Sequence, residues 1–256
     1  MIGLLRSEWI KTTSTRSPYW LLAIALGLSL LFAFLVARFL TSDDPNAGFI
    51  DPASAEAVWS TLEGYTLFSV LLIWIVGIIS VTGEYRFGTV RPTFLAEPTR
   101  WQAILAKALF NVVLAALAAF VIVLLSLALA EIVKATDSFD PFAETGMAAL
   151  WRAPVYTAIG MLAAIGLGYL MRNSAGAIVV ILLWATVIEN LTALIPRFGQ
   201  DIAEWMPFSN GEYWMKEGVL SGSNIDWSQG TGLILFLGVA VALFVAGLVS
   251  TLYRDA

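Results

Sequence analysis

Gly83-Glu84-Tyr85-Arg86-Phe87-Gly88-Thr89-Val90-Arg91-Pro92 separates two long apolar stretches, one closing near residue 81 and the next opening near residue 105. With Arg86, Arg91, Arg100 and Lys107 between residues 83 and 107, this segment cannot enter lipid, so the apolar stretches on either side turn back at it. It is compact, charged and aromatic, the composition of a surface that touches another protein at a membrane face.

The rest of the chain has the composition of a membrane protein. It is 256 residues long, 59% hydrophobic and 13% charged, with a mean hydropathy of +0.82. So few charges would not keep a globule of that hydrophobicity in solution. A bilayer core needs roughly 20 apolar residues per helix. Six stretches qualify, at about 19–39, 65–81, 105–130, 155–171, 175–194 and 232–252. The expected fold is therefore an all-α integral membrane protein of six spans in a single domain, 1–256. Only Arg172-Asn173-Ser174 separates the fourth span from the fifth, which forces an antiparallel helical hairpin. The first apolar stretch is too long for a signal peptide and lacks a small-residue cleavage site, so it is expected to remain as a span.

An even number of spans puts both termini on one side. That side holds nine basic residues (Arg6, Lys11, Arg16, Arg86, Arg91, Arg100, Lys107, Arg172 and Arg254), against five on the other (Arg38, Lys134, Arg152, Arg197 and Lys216). The positive-inside rule then predicts cytoplasmic termini in a cell membrane. Of 19 acidic residues, only Glu8, Glu84, Glu97 and Asp255 share that side, so the outer face is acidic.

The chain has no cysteine and no histidine. That excludes disulfides, thiol chemistry, His-ligated metals and every nucleophile–imidazole mechanism. No Gly-x-x-x-x-Gly-Lys-Ser/Thr loop is present to cradle phosphates. The net charge of −5 argues against a nucleic-acid partner. No catalytic or metal site is expected.

Ahead of the first span, Ile2, Leu5, Trp9 and Ile10 follow helical spacing along one side of residues 1–17. This predicts an amphipathic helix in the headgroup layer, or else a charged tail that only sets topology. In the segment 83–103, Gly88 and Pro92 break regular helix, and Glu97-Pro98-Thr99-Arg100 makes a second turn. Arg86 and Arg91 offer forked donors, and Tyr85, Phe87 and Phe94 offer apolar anchors, a mixture suited to an interface hot spot. An ordinary basic loop on anionic lipid fits the same composition.

The run Gly83-Glu84-Tyr85-Arg86-Phe87-Gly88-Thr89-Val90-Arg91-Pro92-Thr93-Phe94-Leu95-Ala96-Glu97-Pro98-Thr99-Arg100 resembles the corresponding segment of type-2 ABC transporter permeases. There an acidic-aromatic-basic-x-Gly-Thr run leads to a Leu-rich stretch, a Pro and an Arg. Leu4-Leu5-Arg6-Ser7-Glu8-Trp9-Ile10-Lys11-Thr12-Thr13-Ser14-Thr15-Arg16-Ser17-Pro18 is similar to the helix that leads into the first span of the same family. The resemblance covers essentially the whole chain. It implies a permease subunit that dimerises with an identical or homologous chain and rests on a cytoplasmic ABC ATPase. Glu84, Tyr85, Arg86, Phe87, Gly88, Thr89 and Arg91 would then form the coupling helix that transmits ATP-driven closure.

Ionisable groups inside spans are costly and point to function. Glu189 lies about 15 residues beyond Ser174, roughly 22 Å along a helix. It shares a helical stripe with Thr186 and Asn190. In the family the second and fifth spans line the path between protomers, so this stripe is a candidate substrate pathway. Alternatively the span ends early and Glu189 is solvated at the outer interface. Lys107 is expected to snorkel to the surface, and Asn111 to bond a neighbouring helix. Gly160, Ala164 and Gly168, and likewise Gly238, Ala242 and Ala246, read as close-contact stripes. The region 195–231 is too greasy for a free linker. Trp205, Phe208 and Trp214 are its candidate outer-gate residues, on re-entrant helices by resemblance and in an aromatic belt by composition. An exporter of an amphipathic or hydrophobic substrate is the leading expectation; an ATP-independent transporter or channel is the alternative.

Overall fold

In the computed structural model, residues 2–40, 50–89, 100–192, 202, 204–217, 219, 225 and 227–253 are described. The regular elements among them are helical: α1 (Ile2–Ser14), α2 (Ser17–Phe39), α3 (Ala55–Thr61), α4 (Tyr65–Arg86), α5 (Arg100–Val133), α6 (Glu144–Met171), α7 (Ser174–Thr192), α8 (Pro207–Met215) and α9 (Gln229–Tyr253). Six of these described helices, α2, α4, α5, α6, α7 and α9, are long and apolar enough to cross a bilayer. The chain is a multi-pass membrane protein. Since the spans alternate in direction, α1, the end of α4 and the α6–α7 turn share one face, and α3 and α8 lie toward the other.

Helix ends follow local chemistry. Pro18 occupies the first turn of α2, where its missing N–H costs no bond. Ser54 caps α3, its Oγ accepting from Ala57 N at 3.2 Å. The α6–α7 hairpin turns at Arg172, which is left-handed at φ 52°. Asn173 then caps α7 by accepting from Gly176 N at 3.1 Å. Three spans contain or end in a π-helical turn: Val36–Leu40 at the end of α2, Tyr65–Ser69 in α4 and Leu183–Ile188 in α7.

Lipid tails are as apolar as leucine, so helix association in a membrane rests on close contact and buried hydrogen bonds. Helix α6 is the hub, touching α4, α5, α7 and α9. Gly160 lets the Trp74 indole lie against α6, and a Cβ at Gly166 would meet the α9 backbone at Leu243 within 2.5 Å. The 160/164/168 stripe is thus the α4–α6 contact. The α9 stripe makes no contact of this kind among the described residues of the chain. Gly232, Phe236, Ala240, Phe244 and Gly247 face the bundle, while Gly238, Ala242 and Ala246 are exposed on its outside. On α2, Ala25, Ser29 and Ala33 form the buried row. Ser29 Oγ shares a 2.8 Å hydrogen bond with Ser126 of α5, and Ser69 of α4 donates to Ala25 O at 2.7 Å.

Helix α1 forms as expected, with Trp9 and Ile10 on the side away from the protein. Glu8 is buried against the bundle. The polar side of the helix is the one that meets protein.

Candidate functional site

Where α4 leaves the bundle, its last turn closes in a Schellman motif. Thr89 N donates to Glu84 O at 2.9 Å and Gly88 N to Tyr85 O at 3.3 Å, with Gly88 left-handed at φ 68°. Glycine takes that conformation without the Cβ clash other residues suffer. This turn divides the predicted coupling residues into two sets. Arg86 and Phe87 point out, with Phe87 76% exposed and the Arg86 guanidinium 5.6 Å from its ring centre. Glu84 and Tyr85 point in. Arg91 lies outside the described residues.

Glu84 belongs to a buried network of four charges. Lys11 Nζ meets Glu8 Oε1 at 2.8 Å and Glu84 Oε1 at 2.7 Å. Lys107 Nζ reaches the same Glu84 oxygen at 3.1 Å and also pairs with Glu8. Two carboxylates and two ammonium groups sum to zero, which makes the burial tolerable. Burial alone pushes the Glu8 carboxyl up; the Lys107 ammonium and hydrogen bonds from Lys107 and Lys11 outweigh it and hold Glu8 below its ordinary value. For Lys11, burial pulls downward and is outweighed by Glu8 and Glu84, leaving it above its ordinary value. Lys107 is only 3% exposed, so the snorkelling expected from its position near a helix end does not occur. With two carboxylates within reach, the ammonium stays in. The network ties α1, α4 and α5 into one junction.

Tyr85 makes the corresponding tie on the other side. Its ring meets Tyr169 of α6 edge-on and lies 5.1 Å from the Arg172 guanidinium. Its hydroxyl is 3.4 Å from Thr251 Oγ1 of α9. Arg172 also donates to Ser250 O at 3.3 Å.

Toward the opposite face, α8 is clasped at both ends. At its N-terminus Glu189 of α7 accepts from Phe208 N (3.1 Å), Ser209 N (2.6 Å), Ser209 Oγ (2.8 Å) and Trp184 Nε1 (2.9 Å). At its C-terminus Arg152 of α6 donates to Trp214 O at 2.7 Å, pairs with Glu217 at 2.8 Å and lies over the Trp151 and Trp214 rings. An acceptor carboxyl at the N-terminal amides and a cation at the C-terminal carbonyls match the helix dipole. Glu189 is 2% exposed, so it is neither solvated at the interface nor open to a pathway. The predicted stripe is split, because the wider π turn at Leu183–Ile188 swings Glu189 off the line joining Thr186 and Asn190.

Thr186 and Asn190 do line a cavity of about 120 Å³ between α7 and α4. Across it stand Thr66 and Leu67 of the α4 π turn, with Trp74 and Tyr156 behind and Glu212 of α8 at one side. Two π turns therefore face each other across this space, and such turns are frequent at functional sites.

Of the predicted gate residues, Phe208 is buried, its ring centre 5.3 Å from Trp74 and 5.6 Å from Phe236. Trp74 lies nine positions after Tyr65, about 13 Å along a helix, so α8 dips into the bundle instead of lying across it. Trp214 is buried beneath Arg152, while Trp205 is exposed and meets Trp227 edge-on. Sequence reasoning missed Glu8, Lys11, Trp74, Tyr156 and Arg152. Only the Glu8–Lys11 spacing of three on one helix carried a signal.

Compared with family models and with curated protein sequences, the chain matches none.

Proposed function

We propose that this chain is the permease subunit of an ABC exporter, driven by a separate cytoplasmic ATPase and paired with a second permease chain. Both termini and the turn at Gly83–Thr89 then lie on the cytoplasmic side of a cell membrane, and ATP and Mg²⁺ stay on the ATPase. The sequence resemblance raises this reading, and the two-sided turn at the end of α4 carries it. Arg86 and Phe87 present a rigid cationic-aromatic knob to a partner. Behind them Glu84 holds α1 and α5 through two lysines, and Tyr85 holds α6 and α9. A push on the knob is delivered to five helices at once, α4 included. Helix α4 then runs as a lever to the far side of the bundle, where Trp74 bears on Phe208 of the dipping helix and Thr66 lines the α4–α7 cavity. Closing the ATPases would move α4 against α7 and α8 and expel an amphipathic or hydrophobic substrate held along Thr186 and Asn190.

The test is purification of the chain from its own membrane together with any ATPase that it retains, followed by reconstitution in lipid. The expected result is a stable complex whose ATP hydrolysis responds to substrate and whose transport stops without ATP. If no ATPase binds the chain and transport persists without nucleotide, the ATP-independent class replaces this reading.

A further inference from the structure

A second cavity, of about 400 Å³, opens on the α1 face between α1, the start of α2 and the end of α4. Its volume is in the range of small-molecule sites, and its walls change character with depth. At the mouth are the hydroxyls of Thr12, Thr15 and Ser17, with the Lys11 ammonium; deeper in are Leu21, Ile79 and Val76. Val76 is ten positions from Arg86 at the end of α4, so the groove runs about 15 Å inward along the helix. Polar at the surface and apolar at depth, it has the profile of one half of a bilayer.

Its rim is basic. Arg16 stands between the lining residues Thr15 and Ser17, and Arg86 precedes the lining residue Phe87. Both arginines are exposed and make no ion pair among the described residues. Glu8 and Glu84, the acids in the wall, are already neutralised by Lys11 and Lys107. An occupant thus meets net positive charge at the mouth and hydrocarbon below.

We infer that this groove is a binding site for one anionic phospholipid of the leaflet that holds α1. The headgroup phosphate lies among Arg16, Arg86 and the hydroxyls, and an acyl chain lies along Leu21, Ile79 and Val76. The inference stands apart from the exporter reading and holds for either orientation of the chain.

The test uses the full chain in detergent with phosphatidylglycerol or phosphatidylcholine of identical acyl chains, bound lipid being counted by native mass spectrometry. Wild type is expected to hold phosphatidylglycerol in preference, roughly fivefold for each rim arginine. Arg16→Ala and Arg86→Ala each lower that preference by the same factor. Ile79→Trp, which fills the groove, lowers retention of both lipids to the level of free exchange. Equal retention of the two lipids by wild type overturns the site, and that comparison needs no variant. Wild-type retention of phosphatidylglycerol by a folded Ile79→Trp or Leu21→Trp protein, from opposite walls, overturns it as well.

Discussion

Lys107, Glu8 and Glu84 carry charges held out of water and, with the half-exposed Lys11, stand or fall as a unit because each is neutralised inside the group. Removing one partner leaves a buried charge without compensation, which costs about 3–5 kcal/mol. Lys107→Met is therefore expected to lower the thermal midpoint in detergent by far more than a surface substitution does. Lys107→Met with Glu8→Gln should recover much of the loss, and failure of the pair to recover would remove Glu8 as the partner. The pH dependence follows from the directions of the shifts. Glu8 titrates below its ordinary value of 4.5, so its contribution is whole above that value and is lost as pH falls through the folded-state pKa. Lys11 titrates above its ordinary 10.5, so its contribution is whole below that value and is lost as pH rises through its folded-state pKa. The gap in melting temperature between wild type and Glu8→Gln should be constant at neutral pH and close on the acid side. Gly88 is a simpler case. Alanine in its left-handed turn costs about 1–2 kcal/mol, read as the same midpoint shift, without touching the network.

Helix α8 is too short to hold its shape alone, so the groups at its ends decide whether it exists. Each hydrogen bond to a charged group is worth about 1.5–3 kcal/mol. Glu189→Ala is expected to raise hydrogen exchange at the Phe208 and Ser209 amides by about tenfold or more. Arg152→Ala should act on the other end, with exchange rising near Trp214 and Met215. If α8 amides stay protected in Glu189→Ala, the clasp is decorative and the aromatic contacts of Phe208 hold the helix. This element marks where the sequence stopped being legible. Glu189 stands out in a span, but its partners are the backbone amides of residues 208 and 209, which no composition reveals. The π turn that redirects Glu189 leaves no trace in the one-letter pattern either. Arg152 was legible only as an interruption. Together with Pro154 and Glu144 it depresses the hydropathy at the start of the fourth span, so the apolar stretch begins near 155 while helix α6 begins at Glu144. Its charge is absorbed by two tryptophan rings, a carbonyl and Glu217, and the helix runs through it.

Across the whole chain, what sequence reveals is what lipid dictates. The number of spans, their alternation and the tight 172–174 turn all follow from apolar length, and all are present. Spans overrun their apolar stretches wherever charges find partners, as α4 does past residue 81 to Glu84 and Arg86. The same overrun makes the last turn of α4 two-sided, and its two sides should fail differently. Arg86→Glu reverses a charge on the outward side while leaving every bond of the four-charge network and of Tyr85 in place. If the chain is the permease proposed above, this variant is expected to reduce the ATPase recovered with the purified chain by about tenfold or more, as loss of an interface hot spot does, with no change in the melting midpoint. Tyr85→Leu leaves the outward knob but cuts the tie to Tyr169, Arg172 and Thr251. It should keep the ATPase bound while substrate no longer stimulates hydrolysis, since the push then reaches α1 and α5 but not α6 and α9. Measuring recovered ATPase and substrate-stimulated turnover on both variants separates docking from transmission. If both variants lose the ATPase alike, Tyr85 belongs to the contact surface. If neither variant changes either quantity, this turn is an ordinary basic loop and the drive enters the molecule elsewhere.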